Sequence, residues 1–378
     1  MNLLKEFPLN SGFYHFNHAG VGPWPARTSK VIAEFAHENS CQGSWKYPDW
    51  METENALRKQ LAWLIGVESE QDIALLKSTS EGLSVVAYGL EWTAGDEIVI
   101  PAEEFPSNRV VWQSLETYGV KVKLVDLSAA ESPEQALFDQ CNENTRLISV
   151  SAVQYASGLC LDTVCIGEHC ERENILFCVD AIQAIGAVPF NAQKSKAHFV
   201  VADGHKWMLA PEGLALFYCH PDVRNRLRLR QYGWHMVENQ FDFDAKIWEP
   251  AHSARRFECG SPNMTAIHGL HASMTLFQEI GLDKIHKALS NNIGQLVSGL
   301  SEIPEVKILS KHNNLHRQSG IILLQHDKMD SAALYKLLMD NNIFCAMRGG
   351  GVRLSPHFYT STSDLDFVLE LFLHLKTC

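Results

Sequence analysis

Short apolar runs rich in Val, Ile and Phe recur through the first 220 residues, most of them cut off by Pro, Asp or Ser. Runs of this length with turn residues at both ends read as strands. They predict strands at residues 97–100, 120–125, 146–150, 175–179, 199–202 and 214–218. Helix-period stretches lie between them, around 133–142 and over 163–174, and another begins at Thr28. Strand–helix–strand alternation predicts an α/β fold with a mostly parallel sheet and crossover helices. From Thr265 a helical pattern runs to about residue 300, followed by strands at 306–309 and 320–325, a helix at 331–341, then a strand and a helix. The expected organisation is an N-terminal segment (1–30), a large domain (31–265), and a connector helix with a smaller α+β domain (266–378).

The chemistry collects where two predicted strands end. The run 175–179 stops at Asp180, with Gln183 three residues on, and the run 199–202 delivers Asp203-Gly204-His205-Lys206. In open α/β sheets the carboxyl ends of strands are where ligands bind. A carboxylate and a lysine on neighbouring strand ends make a structural ion pair or the two poles of a pyridoxal phosphate site. That cofactor takes a lysine for its Schiff base and an acid on its pyridinium nitrogen. The stretch 75–83, LLKSTSEGL, opens a helix with Ser78, Thr79 and Ser80; these cap the helix, or also offer its N-terminus to a phosphate.

Composition narrows the partners. A net charge of −12 disfavours nonspecific nucleic-acid binding, and no apolar run reaches transmembrane length. MNLLKEFPLN has no basic region followed by an apolar one, so a cytoplasmic protein with reduced thiols is expected. Cys160, Cys165 and Cys170 recur every five residues without a CxxC pair, so no metal site is expected. The basic run 223–230, VRNRLRLR, reads as a solvated helix face.

VDAIQAIG followed by ADGHKWMLAPEGLALFY resembles the core of the class V aminotransferases, fold-type I pyridoxal phosphate enzymes. The family includes cysteine desulfurases, selenocysteine lyases, kynureninases and isopenicillin N epimerase. The resemblance implies pyridoxal 5'-phosphate bound covalently by Lys206, with Asp180 on the ring nitrogen and Gln183 on the phenolic oxygen. It puts Thr79, Ser80 and His205 on the phosphate, with Asp203 beside them, Phe105 stacked on the ring, and Gln154 near it. The loop RFECGSPN implies a homodimer in which Ser261 completes the neighbouring site. GWHMVEN resembles a segment at the site's mouth, making His235 a candidate there. Arg353, in RLSPHFY, takes the α-carboxylate of a small amino-acid substrate, and Asn17, His18 and Ala19 lie on the substrate side. A guanidinium fork suits a carboxylate.

The reaction branch stays open at this level. Transamination is the leading expectation; a desulfurase- or selenocysteine-lyase-like activity, or epimerisation, is the alternative. A pyridoxal-fold protein without catalysis comes last, because Lys206, Asp180 and Arg353 are all intact. Many desulfurases have His where Phe105 stands, and they place a nucleophilic Cys shortly before the carboxylate arginine. Here Arg348-Gly349-Gly350-Gly351 fills that span, and Cys345 sits in an apolar run, where a thiol is inert.

Overall fold

The computed structural model describes residues 3–128, 130–311 and 317–375; Cys378 lies outside them. Seven strands form the large sheet: β1 (Ile73–Leu76), β2 (Glu97–Pro101), β3 (Lys121–Val125), β4 (Thr145–Ser151), β5 (Leu176–Asp180), β6 (Phe199–Asp203) and β7 (Ala215–Cys219). Their order is β1-β7-β6-β5-β4-β2-β3, and only β7 runs antiparallel to its neighbours. Alternate residues feed two separate cores. Phe177, Val179, Val200 and Ala202 pack on one face; Leu176, Cys178, Phe199 and Val201 pack on the other. A sheet buried on both sides needs apolar residues at every position, which is why these strands read as unbroken runs.

A second, antiparallel sheet has the order β10-β11-β9-β8, from β8 (Val306–Ile308), β9 (Ile322–His326), β10 (Ala346–Arg348) and β11 (Gly351–Leu354). The N-terminal segment is stitched beside it. Tyr14–His15 pairs in parallel with Ile343–Phe344, and the Ser355 N–H donates to the Phe16 carbonyl at 2.7 Å.

Several expected elements change shape. The long helix after residue 264 is two helices, Met264–Ile280 and Leu282–Ser301, broken at Gly281 with φ +89°. The basic run is not a helix face: only Pro221–Arg224 is helical. Arg224 turns inward, buried, onto Asp72 and the His252 carbonyl. Edge strand β1 and the helix Tyr47–Ile65 before it were not anticipated from the apolar pattern. No helix among the described residues is long and apolar enough to cross a membrane.

Candidate active site

Lys206 follows β6 directly, on the carboxyl edge where β5 ends in Asp180. Asp180 is buried and Lys206 half-buried, and among the described residues nothing hydrogen-bonds the Lys206 Nζ. It lies 5.5 Å from the centre of the Phe105 ring, which is partly open to solvent and edge-on to Tyr155. Burial drives the Asp180 acid up and the Lys206 amine down, because each resists charge away from water. Their mutual attraction opposes both shifts; Arg353 and Arg348 push Lys206 further down.

The N-terminal segment packs straight onto this lysine. The Gly22 N–H donates to the His205 carbonyl at 2.8 Å, and a Cβ there would sit 2.4 Å from the Lys206 carbonyl oxygen. Only glycine allows that approach. Gln183, buried, donates to the Ala19 carbonyl at 3.0 Å and accepts from the Trp207 indole at 2.7 Å. One amide hydrogen of Gln183 remains for another acceptor. Asn17 Oδ1 accepts from Arg353 at 3.2 Å. His18, in contrast, faces away into the fold: its Nδ1 bonds the Ser355 carbonyl and its Nε2 the Tyr359 hydroxyl, so both ring nitrogens are committed.

Arg353 lies on β11 and is 2 % exposed. Its Nη1 donates to the Tyr155 carbonyl at 2.6 Å, its Nε finds no partner, and among the described residues no carboxylate reaches it. Burial and the nearby Arg348 charge lower it to about 10. A buried guanidinium without a counter-charge is costly unless a ligand supplies one.

On the opposite side, the helix Thr79–Gly89 begins with Ser78 accepting from the Glu81 N–H while Glu81 accepts from the Lys77 N–H. Thr79 is tied to Asp203 twice, through its N–H at 3.1 Å and its hydroxyl at 3.2 Å. Asp203 is thus spent on the helix start. The Ser80 hydroxyl donates to Ser107, and His205 keeps its buried Nδ1 unpartnered; burial, then the Lys206 charge, lowers that ring to about 4. Ser261 is exposed and accepts from Trp234, alongside Lys77 and Glu81 rather than with Lys206.

Sequence reading missed Glu104. Fully buried, it accepts from the Ser151 N–H at 2.6 Å, contacts the Ser151 hydroxyl, and accepts from Gln154 at 3.0 Å. Ser151 is the register partner of Asp180, and Phe105 is the next residue, so one carboxyl ties three site elements together. In sequence it is one of two glutamates in a polar turn, with nothing to mark it.

By distance, Glu54, His235 and Glu258 could surround a cation. Arg58 already donates to both carboxylates there, and a second positive ion would have to displace it. His235 therefore belongs to this buried charge cluster and not to the mouth of the site.

A Lys206 amine without a hydrogen bond, unpartnered buried atoms of Arg353, His205 and Gln154, the Asp180 carboxylate and a helix N-terminus fit the pieces of pyridoxal phosphate with an amino acid. The sheet order is that of the fold-type I pyridoxal phosphate enzymes, the fold of the class V aminotransferases. Residues 32–366 match the profile of "Aminotransferase class-V", and the chain belongs to that family. It is 28% identical over 391 residues to a probable cysteine desulfurase of Methanothermobacter thermautotrophicus, covering 97% of this chain and 95% of that one. A C-DES variant with glycine covalently linked to its PLP cofactor superposes with TM-score 0.90 at 21% identity, covering 98% of each chain. The cystine C-S lyase C-DES in complex with its reaction product cysteine persulfide gives TM-score 0.89 at 22% identity, over 97% of this chain and 98% of that one.

Proposed function

We propose that the protein is a pyridoxal-phosphate-dependent lyase that breaks the Cβ–S bond of a sulfur-containing amino acid and releases the sulfur product free. The desulfurase and lyase names of its relatives favour this branch over transamination, the leading expectation from sequence. The observation that carries the free release is the hairpin before Arg353. Arg348 pairs with Gly351, leaving a two-residue turn of Gly349 and Gly350 with no cysteine. The nearby thiol, Cys345, is buried and pushed up to about 12 by desolvation, so it is no persulfide acceptor.

In this reading Lys206 carries the cofactor, Asp180 and Gln183 hold its ring, Phe105 and Gln154 flank it, and Thr79, Ser80 and His205 hold its phosphate. When bound, the cofactor supplies the electron sink that makes the substrate's Cα–H acidic. Arg353 takes the α-carboxylate, assisted by Asn17. Lys206, its basicity lowered by burial, accepts the Cα proton and can return it to the leaving sulfur. Phe105 and Tyr155 wall the reacting atoms from water. Ser261 serves the site of a second copy, so the working unit is a dimer.

The test is product analysis with cysteine, cystine and alanine, with and without a keto acid. Pyruvate, ammonia and reduced sulfur formed without keto acid are expected. Amino transfer to a keto acid without sulfur release would replace elimination by transamination.

A further inference from the structure

Elimination moves two protons, one off Cα and one onto the departing sulfur. Lys206 is placed for the first. Phe105, the ring beside it, has no proton to give, and His18 has both ring nitrogens committed. Tyr155 stands edge-on to Phe105 with ring centres 5.2 Å apart, and its hydroxyl finds no partner among the described residues. The residue is half-buried, and its phenol lies close enough to Arg353 for charge on the phenol oxygen to act there. The backbone beneath it is locked. The Gly158 N–H donates to the Gln154 carbonyl and the Gln154 N–H to the Leu159 carbonyl, both at 2.9 Å, closing a tight turn. Gly158 has φ +72°, and a Cβ there would lie 2.8 Å from Ile321, so this turn admits no other residue. Glu104 holds the Gln154 side chain, and Arg353 holds the Tyr155 carbonyl. The phenol is thus carried on a fixed turn, tied at one end to Arg353 and resting against Phe105.

We propose that the Tyr155 hydroxyl is the acid of the elimination and protonates the sulfur as it leaves. The assignment rests on the C–S lyase reading above. As the Cβ–S bond breaks, the sulfur keeps the bonding electron pair, takes the phenol's proton and departs as a neutral thiol or hydrogen sulfide. The Cα proton stays on Lys206. The remaining three carbons take up one water and end as pyruvate and ammonia. The phenolate regains a proton from solvent, and Lys206 gives one up to it.

The experiment measures pyruvate release from β-chloro-L-alanine, L-cysteine and S-methyl-L-cysteine by the holoenzyme and its Tyr155→Phe variant, which keeps the ring and removes only the hydroxyl. Chloride leaves without a proton; hydrosulfide and, more strongly, methanethiolate are bases that take one up. In Tyr155→Phe, kcat should fall about 100-fold for S-methyl-L-cysteine, about tenfold for L-cysteine, and less than about threefold for β-chloro-L-alanine. A titration with L-alanine, which has no leaving group, followed by cofactor absorbance, should give both proteins the same affinity. An equal loss on all three substrates, or a matching loss of alanine affinity, would make Tyr155 a positioning residue and overturn the assignment. Sulfur release undiminished in Tyr155→Phe would overturn it alone, leaving the lyase reading intact. If the wild-type enzyme releases sulfur from neither L-cysteine nor S-methyl-L-cysteine, the lyase reading falls and takes the assignment with it.

Discussion

Two arginines, Arg58 and Arg353, are buried to nearly the same degree and live opposite electrostatic lives. Arg58 sits between Glu54 and Glu258, donates to both and to the Ile73 carbonyl, and is held firmly in its charged form despite its burial. Glu258 also accepts from the Leu75 N–H at 2.8 Å, so this cluster clamps edge strand β1 just before the Ser78–Thr79 turn. Among the described residues no anion reaches Arg353, and its pKa falls to about 10. The difference teaches where function lies. A charge balanced inside the protein is there for structure, and one left unbalanced is there for a ligand.

The largest effect should come from breaking the balanced side. Arg58→Met leaves two buried carboxylates unpaired and should destabilise the protein by about 3–5 kcal/mol in urea unfolding. The pH dependence sharpens the same point. Burial alone would raise Glu258, but Arg58, with help from His235, holds it down to about 2. Its contribution is therefore complete above the ordinary carboxylate range and lost as pH falls from about 4.5 toward 2. Wild-type unfolding free energy should drop steeply across that window, by about 3 kcal/mol from this group, and Glu258→Gln should flatten the slope.

On the unbalanced side the sign reverses. Arg353→Met should cut kcat/KM about 100-fold or more, mainly through KM, while the melting temperature of the ligand-free protein holds or rises. A large drop in melting temperature would make Arg353 a structural residue like Arg58. The smallest effect is expected at Glu104. Glu104→Ala should cost about tenfold in kcat/KM by loosening Gln154 and Ser151, and Glu104→Gln, which keeps the acceptor, should restore most of it.

Much of this was legible in the chain before folding. The doubly buried strands announced themselves as unbroken apolar runs, and Asp180 and Lys206 stood where such runs stop. What stayed hidden depends on contacts far apart in sequence. Glu54 and Arg58 look like an ordinary helical i,i+4 surface pair until Glu258, 200 residues away, closes over them. Glu104 looks solvated until Ser151 and Gln154 cover it. The arginine-rich stretch 223–230 failed as a helix because Arg224 is drawn inward to Asp72, a partner supplied by the edge strand's approach. Local pattern finds elements; it does not say which charges will be shut in together.

The most direct test of the central claim is to titrate the protein with pyridoxal phosphate, reduce with borohydride, and map the label by peptide mass spectrometry. The account predicts one pyridoxyl group per chain on Lys206, absent in Lys206→Ala. A label spread over other lysines, or none, would contradict it.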